Sequence, residues 1–403
     1  MTDGKIRALL LENVHAEAVT RLESEGYVVE TVSGALDAEE LAERLPGVSL
    51  LGIRSKTRVS ARALQSADRL VAIGAFCIGT EQIDLVAAAA SGVAVFNAPF
   101  SNTRSVVELA LAEIIALTRR LTDKNQKMHA GIWDKDAAGS HEVRGRTLGI
   151  VGYGNIGSQL SVLAENLGMT VYFYDAEDKL SLGNARRCET LEGLLEIADV
   201  VTLHVDGRPG NSGFFGDAQF ARMRPRSLFL NLSRGFVIDH AALGRHLASG
   251  HIAGAAVDVF PHEPKSRGDK FKSELRGLPN VILTPHIGGS TEEAQADIGR
   301  FVANKLVTFV ADGNSTLSVN LPSVALLARE TTHRLAHIHR NTPGVLAQVN
   351  SILARHAVNV EGQLLATRGD VGYVLTDIGR NFSEDVLTEL RGMPETIGLR
   401  VLS

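Results

Sequence analysis

Thiols are almost absent from this chain: its 403 residues include two cysteines, Cys77 and Cys188. They lie far apart in apolar or helical contexts, so reduced thiols are expected rather than a disulfide framework or a cysteine metal site. No other metal site is expected. Tryptophan occurs once, at Trp133. No window holds the ~18 uncharged apolar residues that a membrane span needs. The opening Met-Thr-Asp-Gly-Lys-Ile-Arg lacks the charge order of a signal peptide and leads straight into a strand. Basic charge is not in excess either. The 41 basic and 46 acidic residues give a net charge of −5, which argues against a general nucleic-acid or anionic-membrane surface. Internal repeats and low-complexity tracts are missing too. What remains is an ordinary globular composition, 44% hydrophobic, in a chain long enough for two or three domains. The expected setting is the cytoplasm.

What is present is a glycine pattern in the middle of the chain. Leu148 to Val151 reads as a buried strand running into Gly152, Gly154 and Gly157 at G-x-G-x-x-G spacing. A helix pattern opens at once, with Ile156, Leu160, Leu163, Ala164 and Leu167 on one face and Gly168 as its stop. The first glycine makes the tight turn, the second lets a pyrophosphate approach the backbone, and the third lets helix and strand pack closely. The free N–H groups of the helix start then face the anion. A second strand, 170–174, ends in Asp175, 18 residues beyond Gly157, where an adenosine ribose is gripped. A glycine triplet alone is weak evidence; strand, triplet, helix, strand and acid in order point to a dinucleotide. NAD is favoured over NADP, because Asp175 repels a 2′-phosphate and Ala176, Glu177 and Asp178 supply no arginine to receive one.

The first hundred residues alternate strand (5–11, 28–32, 48–53, 70–76, 93–96) with helix (15–25, 38–45, 60–67, 85–91). This predicts a small parallel α/β domain. Asn97 to Asn102 reads as a domain crossing, followed by one long helix from Thr103 to about Lys127. Strand-like runs at 200–205, 228–232, 255–259 and 281–283 extend the dinucleotide unit as a doubly wound sheet. Ser290-Thr-Glu-Glu293 matches a capping box, and its helix, running to about Ala311, is expected to return to the first domain. The expected domains are 1–101 with 289–325 for substrate, 102–288 for NAD, and 331–403 behind a linker at 321–329. The last reads βαββαβ, a ferredoxin-like split unit, with Pro343 at a first helical position.

Ligands of open α/β sheets sit beyond the carboxyl ends of the strands. There Asn231-Leu-Ser-Arg234 supplies an arginine, Asp258 and Glu263 supply acids, and Thr284-Pro-His286 supplies a histidine. Hydride transfer at a hydroxyl carbon needs these types. Arginine clamps a substrate carboxylate, histidine takes the hydroxyl proton, and a carboxylate fixes the histidine tautomer and raises its pKa. Singly, each is more often a surface side chain. Of the 13 histidines, His204, His240, His246, His251 and His262 are read that way. Three successive strand ends, each delivering a required type, form the stronger observation. Arg54, Lys56 and Arg58 follow a strand of the first domain and point to one side in an extended segment, as a phosphate site needs. A solvated basic loop is the plain alternative.

These runs resemble the D-isomer-specific 2-hydroxyacid dehydrogenase family. The motifs are Val151-Gly-Tyr-Gly-Asn-Ile-Gly157, Asn231-Leu-Ser-Arg-Gly-Phe-Val-Ile-Asp239, Ala256-Val-Asp-Val-Phe260 and Leu283-Thr-Pro-His-Ile-Gly-Gly289. More discriminating are Gly74-Ala-Phe-Cys-Ile-Gly-Thr80, Phe96 to Ser105 and Trp133 to Ser140, while His339-Arg-Asn-Thr-Pro-Gly-Val-Leu346 resembles an ACT signature. The resemblance implies a Rossmann-type domain inserted in a flavodoxin-like one, with a C-terminal ACT domain. It implies Arg234, Glu263 and His286 as the catalytic set. Gly152, Gly154, Asn155, Ile156, Gly157, Asp175, Leu232, Ser233, Arg234, Asp258, His286, Ile287, Gly288 and Gly289 are implied to line NAD. Arg54, Ser55, Lys56 and Asn102 are implied near substrate, with Trp133 and Lys135 completing a neighbouring subunit's pocket. His339, Asn341 and Asn359 are implied to bind L-serine between paired ACT domains. The implied reaction is NAD-dependent oxidation of 3-phosphoglycerate in a homotetramer inhibited by serine. The alternatives are another 2-hydroxyacid dehydrogenase, acting on glyoxylate, hydroxypyruvate or 2-oxoglutarate, or a non-enzymatic NAD sensor. One departure stands out: Val205-Asp-Gly-Arg-Pro-Gly-Asn211 replaces the family's usual Pro-Glu-type sequence.

Overall fold

The computed structural model describes residues 5–264, 268–327, 333–379 and 382–402. The chain forms two compact units, Asn102–Ala294 and the combination of Met1–Ser101 with Gln295–Ser403.

The combined unit begins with a parallel sheet of β1 (Arg7–Leu10), β2 (Val28–Thr31), β3 (Leu50–Ile53), β4 (Ala72–Ala75) and β5 (Ala94–Phe96), in the order β2-β1-β3-β4-β5. The central strands are apolar throughout because both faces are covered. Gly74 explains how one face is covered: a Cβ there would lie 2.7 Å from Val302 and 3.0 Å from Leu306, so the helix Glu292–Asp312 rests directly on the strand. Its N-terminal cap is Thr291, whose Oγ1 accepts the Ala294 N–H, one residue later than the expected box. The chain then runs back along β5, where Asn320 accepts from Val95 N and donates to Val93 O, each at 2.8 Å. The expected linker is therefore partly structural: Leu321 and Val324 are buried in the core. Residues 328–332 lie outside the described residues.

The second unit is a seven-stranded parallel sheet of β6 (Thr147–Val151), β7 (Thr170–Tyr174), β8 (Arg186–Arg187), β9 (Val200–Leu203), β10 (Ser227–Asn231), β11 (Ile252–Val257) and β12 (Val281–Leu283). Its order, β12-β11-β10-β9-β6-β7-β8, is doubly wound, with the switch point between β6 and β9. The expected single helix from 103 is two, Thr103–Thr118 and Leu121–His129, because Arg120 takes a left-handed conformation (φ 51°) that ends the first.

The C-terminal residues return to the first unit as an antiparallel sheet of β13 (His333–Arg340), β14 (Val360–Arg368), β15 (Val371–Ile378) and β16 (Thr396–Leu402), ordered β14-β15-β13-β16. Helices Val345–Arg355 and Glu384–Arg391 pack with Leu335 on one face. The other face is covered as well: Ala336, Ile338, Tyr373 and Leu375 join one hydrophobic cluster with Phe96, Leu306 and Phe309 of the first domain. Pro343 stands in the turn before its helix, and Gly344 (φ 95°) is the cap. Among the described residues no helix is long and apolar enough to cross a membrane.

Candidate active site

The three glycines of the central stretch have different surroundings. Gly152 has φ 93°, and a Cβ there would lie 2.6 Å from the His204 carbonyl, so only glycine makes this turn. A Cβ at Gly157 would overlap the Gly152 carbonyl, which makes it the close-packing position. A Cβ added at Gly154, the N-cap of the helix Asn155–Asn166, would meet nothing within 4 Å beyond its chain neighbours, and among the described residues no side chain caps the helix start. Open space above unsatisfied N–H groups fits a pyrophosphate. Asp175 is oriented by Tyr153 N–H (2.7 Å) and Glu177 N–H (2.9 Å) and keeps lone pairs for a ribose. The divergent loop folds on itself, with Arg208 gripping the Asp206 carboxylate at 2.6–2.9 Å and Asn211 bonded to the Asp206 carbonyl.

The strand-end residues converge. Asn231, fully buried, accepts from Ser233 N–H and Oγ–H and donates to the Arg234 carbonyl, which shapes the turn carrying Leu232 to Arg234. Gly235 has no room for a Cβ against the Phe260 backbone, so the segment bearing Glu263 passes close by. His286 Nδ1 lies 2.9 and 3.1 Å from the two Glu263 oxygens. That hydrogen bond raises the His286 pKa; burial opposes it, and the Glu263 and Asp258 charges add to the rise. Burial pushes the Glu263 carboxyl up, but the His286 ring, the Phe260 N–H and the Arg234 charge together hold it below its usual value. Arg234 is thus an electrostatic neighbour of both partners.

His286 sits at φ 55°, with its N–H donating to the Asp258 carbonyl at 2.8 Å. Asp258, 1% exposed, accepts from Thr284 Oγ1, Ile287 N–H and Gly288 N–H at 2.6–2.8 Å, so its carboxylate holds the loop that presents His286 to Gly289. Asn102 lies against Gly289, and its Oδ1 is buried without a partner among the described residues. His240, expected on the surface, is 7% exposed and bonded to the Gly235 carbonyl.

Trp133 stands three-quarters exposed beside Lys135, on a loop braced by Asp134 with Lys124 and Lys127. In the other unit, the buried Glu12 carboxylate accepts the N–H groups of Lys56 (3.0 Å) and Thr57 (2.8 Å), and Gln82 Nε2 donates to the Arg54 carbonyl (2.7 Å). The backbone of Arg54, Ser55 and Lys56 is therefore fixed, with Ser55 and Lys56 exposed.

This geometry agrees with the comparisons. Residues 111–288 match the D-isomer specific 2-hydroxyacid dehydrogenase, NAD binding domain, and residues 335–398 match an AHAS small subunit-like ACT domain. D-3-phosphoglycerate dehydrogenase from Escherichia coli K12 is 49% identical over 401 residues, covering 99% of this chain and 98% of that one. The chain belongs to the D-isomer specific 2-hydroxyacid dehydrogenase family. The enzyme of the same name from Dictyostelium discoideum is 48% identical over 398 residues, 99% of this chain and 97% of that one. Among solved structures, D-2-hydroxyisocaproate dehydrogenase superposes with a TM-score of 0.71 at 26% identity, covering 78% of this chain and all of that one. As a member of this family the chain is an NAD-dependent oxidoreductase.

Sequence reading missed Glu113, which sits in the otherwise apolar run Leu109 to Ile115 of this dehydrogenase. It is 3% exposed, and neither carboxyl oxygen has a partner among the described residues. Burial, helped by the Asp258 charge, pushes its pKa up to about 8. The folded pKa lies above the unfolded one of ~4.3, so the stabilisation is complete below that unfolded value and is lost as pH rises through 8. Glu113→Gln removes the titration. In thermal melts the variant is expected to gain on wild type steadily from pH 5 to pH 8, by up to ~1.4 kcal/mol per pH unit. A pH-independent difference would show that Glu113 is not the group concerned.

Proposed function

We propose that this chain oxidises 3-phospho-D-glycerate to 3-phosphooxypyruvate with NAD, the first step of L-serine synthesis. The observation that carries the reading is the His286–Glu263 pair beside Arg234 at the carboxyl edge of the dinucleotide sheet. Bound at Gly152 to Gly157 and Asp175, NAD supplies the hydride acceptor. Glu263 holds the proton on His286 Nδ1, leaving Nε2 to take the substrate hydroxyl proton. Arg234 clamps the substrate carboxylate. Arg54 and Lys56, with their backbone anchored by Glu12 and Gln82, receive the phosphate together with Ser55, and Asn102 lies by the substrate. Trp133 and Lys135 reach a neighbouring subunit in a homotetramer, where the exposed indole becomes covered. NADH formation with 3-phosphoglycerate, set against glycolate, glycerate and 2-hydroxyglutarate, tests the assignment. Equal rates with the unphosphorylated acids would overturn it, and no rate with any of them would favour an NAD sensor.

The ACT module is the proposed serine site. Asn341 adjoins the hairpin at Gly369, to whose carbonyl its Nδ2 donates, whereas the Asn359 carbonyl accepts from Gly379 N–H at the other end of β15. At ~3.3 Å per residue those ends lie about 20 Å or more apart. One serine cannot bridge them within one module, which supports a ligand shared between two copies. His339 is 2% exposed, and its Nε2 has no partner among the described residues. Wild-type activity is expected to fall on serine titration and Asn341→Ala to be resistant. Equal insensitivity of both proteins would remove the feedback role.

A further inference from the structure

Opposite the cofactor edge, where β6, β9, β10, β11 and β12 begin, the second unit contains a cavity of about 40 Å³. Arg120, Arg146, Arg226, His141, Asp199 and Asn280 contribute to its lining. Three of these residues hold left-handed backbone: Arg120 (φ 51°), Arg226 (φ 68°) and Asn280 (φ 53°). Arginine has no preference for that region, and such residues persist where surrounding structure holds them.

The polar groups are unequally satisfied. Arg120 is paired with Asp123 at 2.6 Å, and Arg146 bonds the Glu142 carbonyl and stands 3.8 Å from Asp199. The Arg226 guanidinium makes no hydrogen bond or ion pair among the described residues. Asn280 is 3% exposed. Its Nδ2 donates to the carbonyls of Ala253 (3.0 Å) and Leu117 (3.3 Å), which sets the orientation of the amide. Its Oδ1 is then a buried acceptor with no donor among the described residues. An unpaired buried acceptor is costly, so an occupant that donates to it is favoured. The volume admits a few waters or one tetrahedral anion.

We propose that this cavity is a phosphate site, taking hydrogenphosphate with its oxygens on Arg226 and Arg120 and its hydroxyl donating to Asn280 Oδ1. Both halves of the ligand are required. An anion without a donor leaves Asn280 Oδ1 unpaired, and a neutral donor makes no use of the charges of Arg120 and of Arg226, whose side chain is exposed. Sulfate, the same shape without a proton at neutral pH, is thereby discriminated against.

The test uses the full chain carrying Arg54→Ala and Lys56→Ala, so that phosphate binding at the proposed substrate site does not contribute. Titration calorimetry with inorganic phosphate, sulfate and glycerol 3-phosphate at matched ionic strength is read in this background and with Arg226→Gly added. Glycine relieves the left-handed backbone, so the added change is expected to fold at least as well. Phosphate is expected to bind at one site per chain, at least about tenfold more tightly than sulfate, and to lose at least about tenfold in affinity with Arg226→Gly. Glycerol 3-phosphate, too large for the volume, is expected to bind more weakly than phosphate. Binding unchanged by Arg226→Gly, equal affinity for sulfate, or no binding overturns the proposal and leaves a water-filled cavity.

Discussion

Replacing His286 with asparagine is expected to lower kcat by about 10²–10⁴-fold, the usual contribution of a positioned general base, with NAD affinity nearly unchanged. Asparagine suits the test because it tolerates the left-handed backbone that His286 adopts at φ 55°. The N–H bond to the Asp258 carbonyl therefore survives, as do the Ile287 and Gly288 amides on the Asp258 carboxylate. What disappears is the ring nitrogen proposed to take the substrate hydroxyl proton. Glu263→Gln separates proton transfer from positioning. Its carboxylate is the largest cause of the raised His286 pKa, so its loss moves that pKa down. Oxidation requires the neutral ring, so activity in wild type rises with pH through the raised value. In the glutamine variant the same acid limb is expected at lower pH, with reduced kcat because the neutral amide no longer stabilises imidazolium. Steady-state profiles from pH 5 to 9, with NAD binding followed by fluorescence, check both variants. Unchanged turnover in His286→Asn would refute the base assignment.

Much of the fold is legible in the sequence because parallel strands covered on both faces leave continuous apolar runs between glycine stops. Val48 to Ile53 and Leu148 to Val151 are of this kind. The Arg234, Glu263 and His286 clusters are visible because each follows such a run. Features set by tertiary packing are less visible. The helix break at Arg120 carries no glycine or proline, since an arginine occupies the left-handed position. The second buried face of the C-terminal sheet is hidden because β13 reads as apolar and histidine on alternating sides, which resembles a sheet covered once. Leu321 and Val324 look like linker residues until Ser315 and Asn320 are seen tying that segment to the first domain. Glu113 has a signal, a lone acid in a seven-residue apolar run, but sequence alone does not distinguish a helix facing solvent from one that buries its acid beside another carboxylate.

The largest stability effect is expected at Arg334 and Asp377, which are only 8% and 2% exposed at their side chains. All five guanidinium N–H groups are used. Nε and Nη2 meet the Asp377 oxygens at 2.6 and 2.9 Å, Nη1 donates to the carbonyls of Asp312 and Leu326, and Nη2 donates also to that of Leu327. One side chain thus joins β13 and β15 to the end of the long helix and the segment after it, all within the combined unit. Asp377→Ala leaves a buried cation, and Arg334→Ala leaves a buried carboxylate and three unpaired carbonyls. Each is expected to cost about 3–5 kcal/mol in urea unfolding. Arg334→Lys keeps the charge but has three donors in place of the planar fork, so it is expected to recover only part of the loss. Arg334→Met combined with Asp377→Leu removes both desolvation costs and is expected to be less destabilised than either alanine variant. Because Arg334 holds the ACT sheet against the first domain, the alanine variants are also expected to weaken any serine response while retaining activity in the folded fraction. Single substitutions costing below about 1 kcal/mol, the range of an exposed pair, would show that this contact does not hold the module in place.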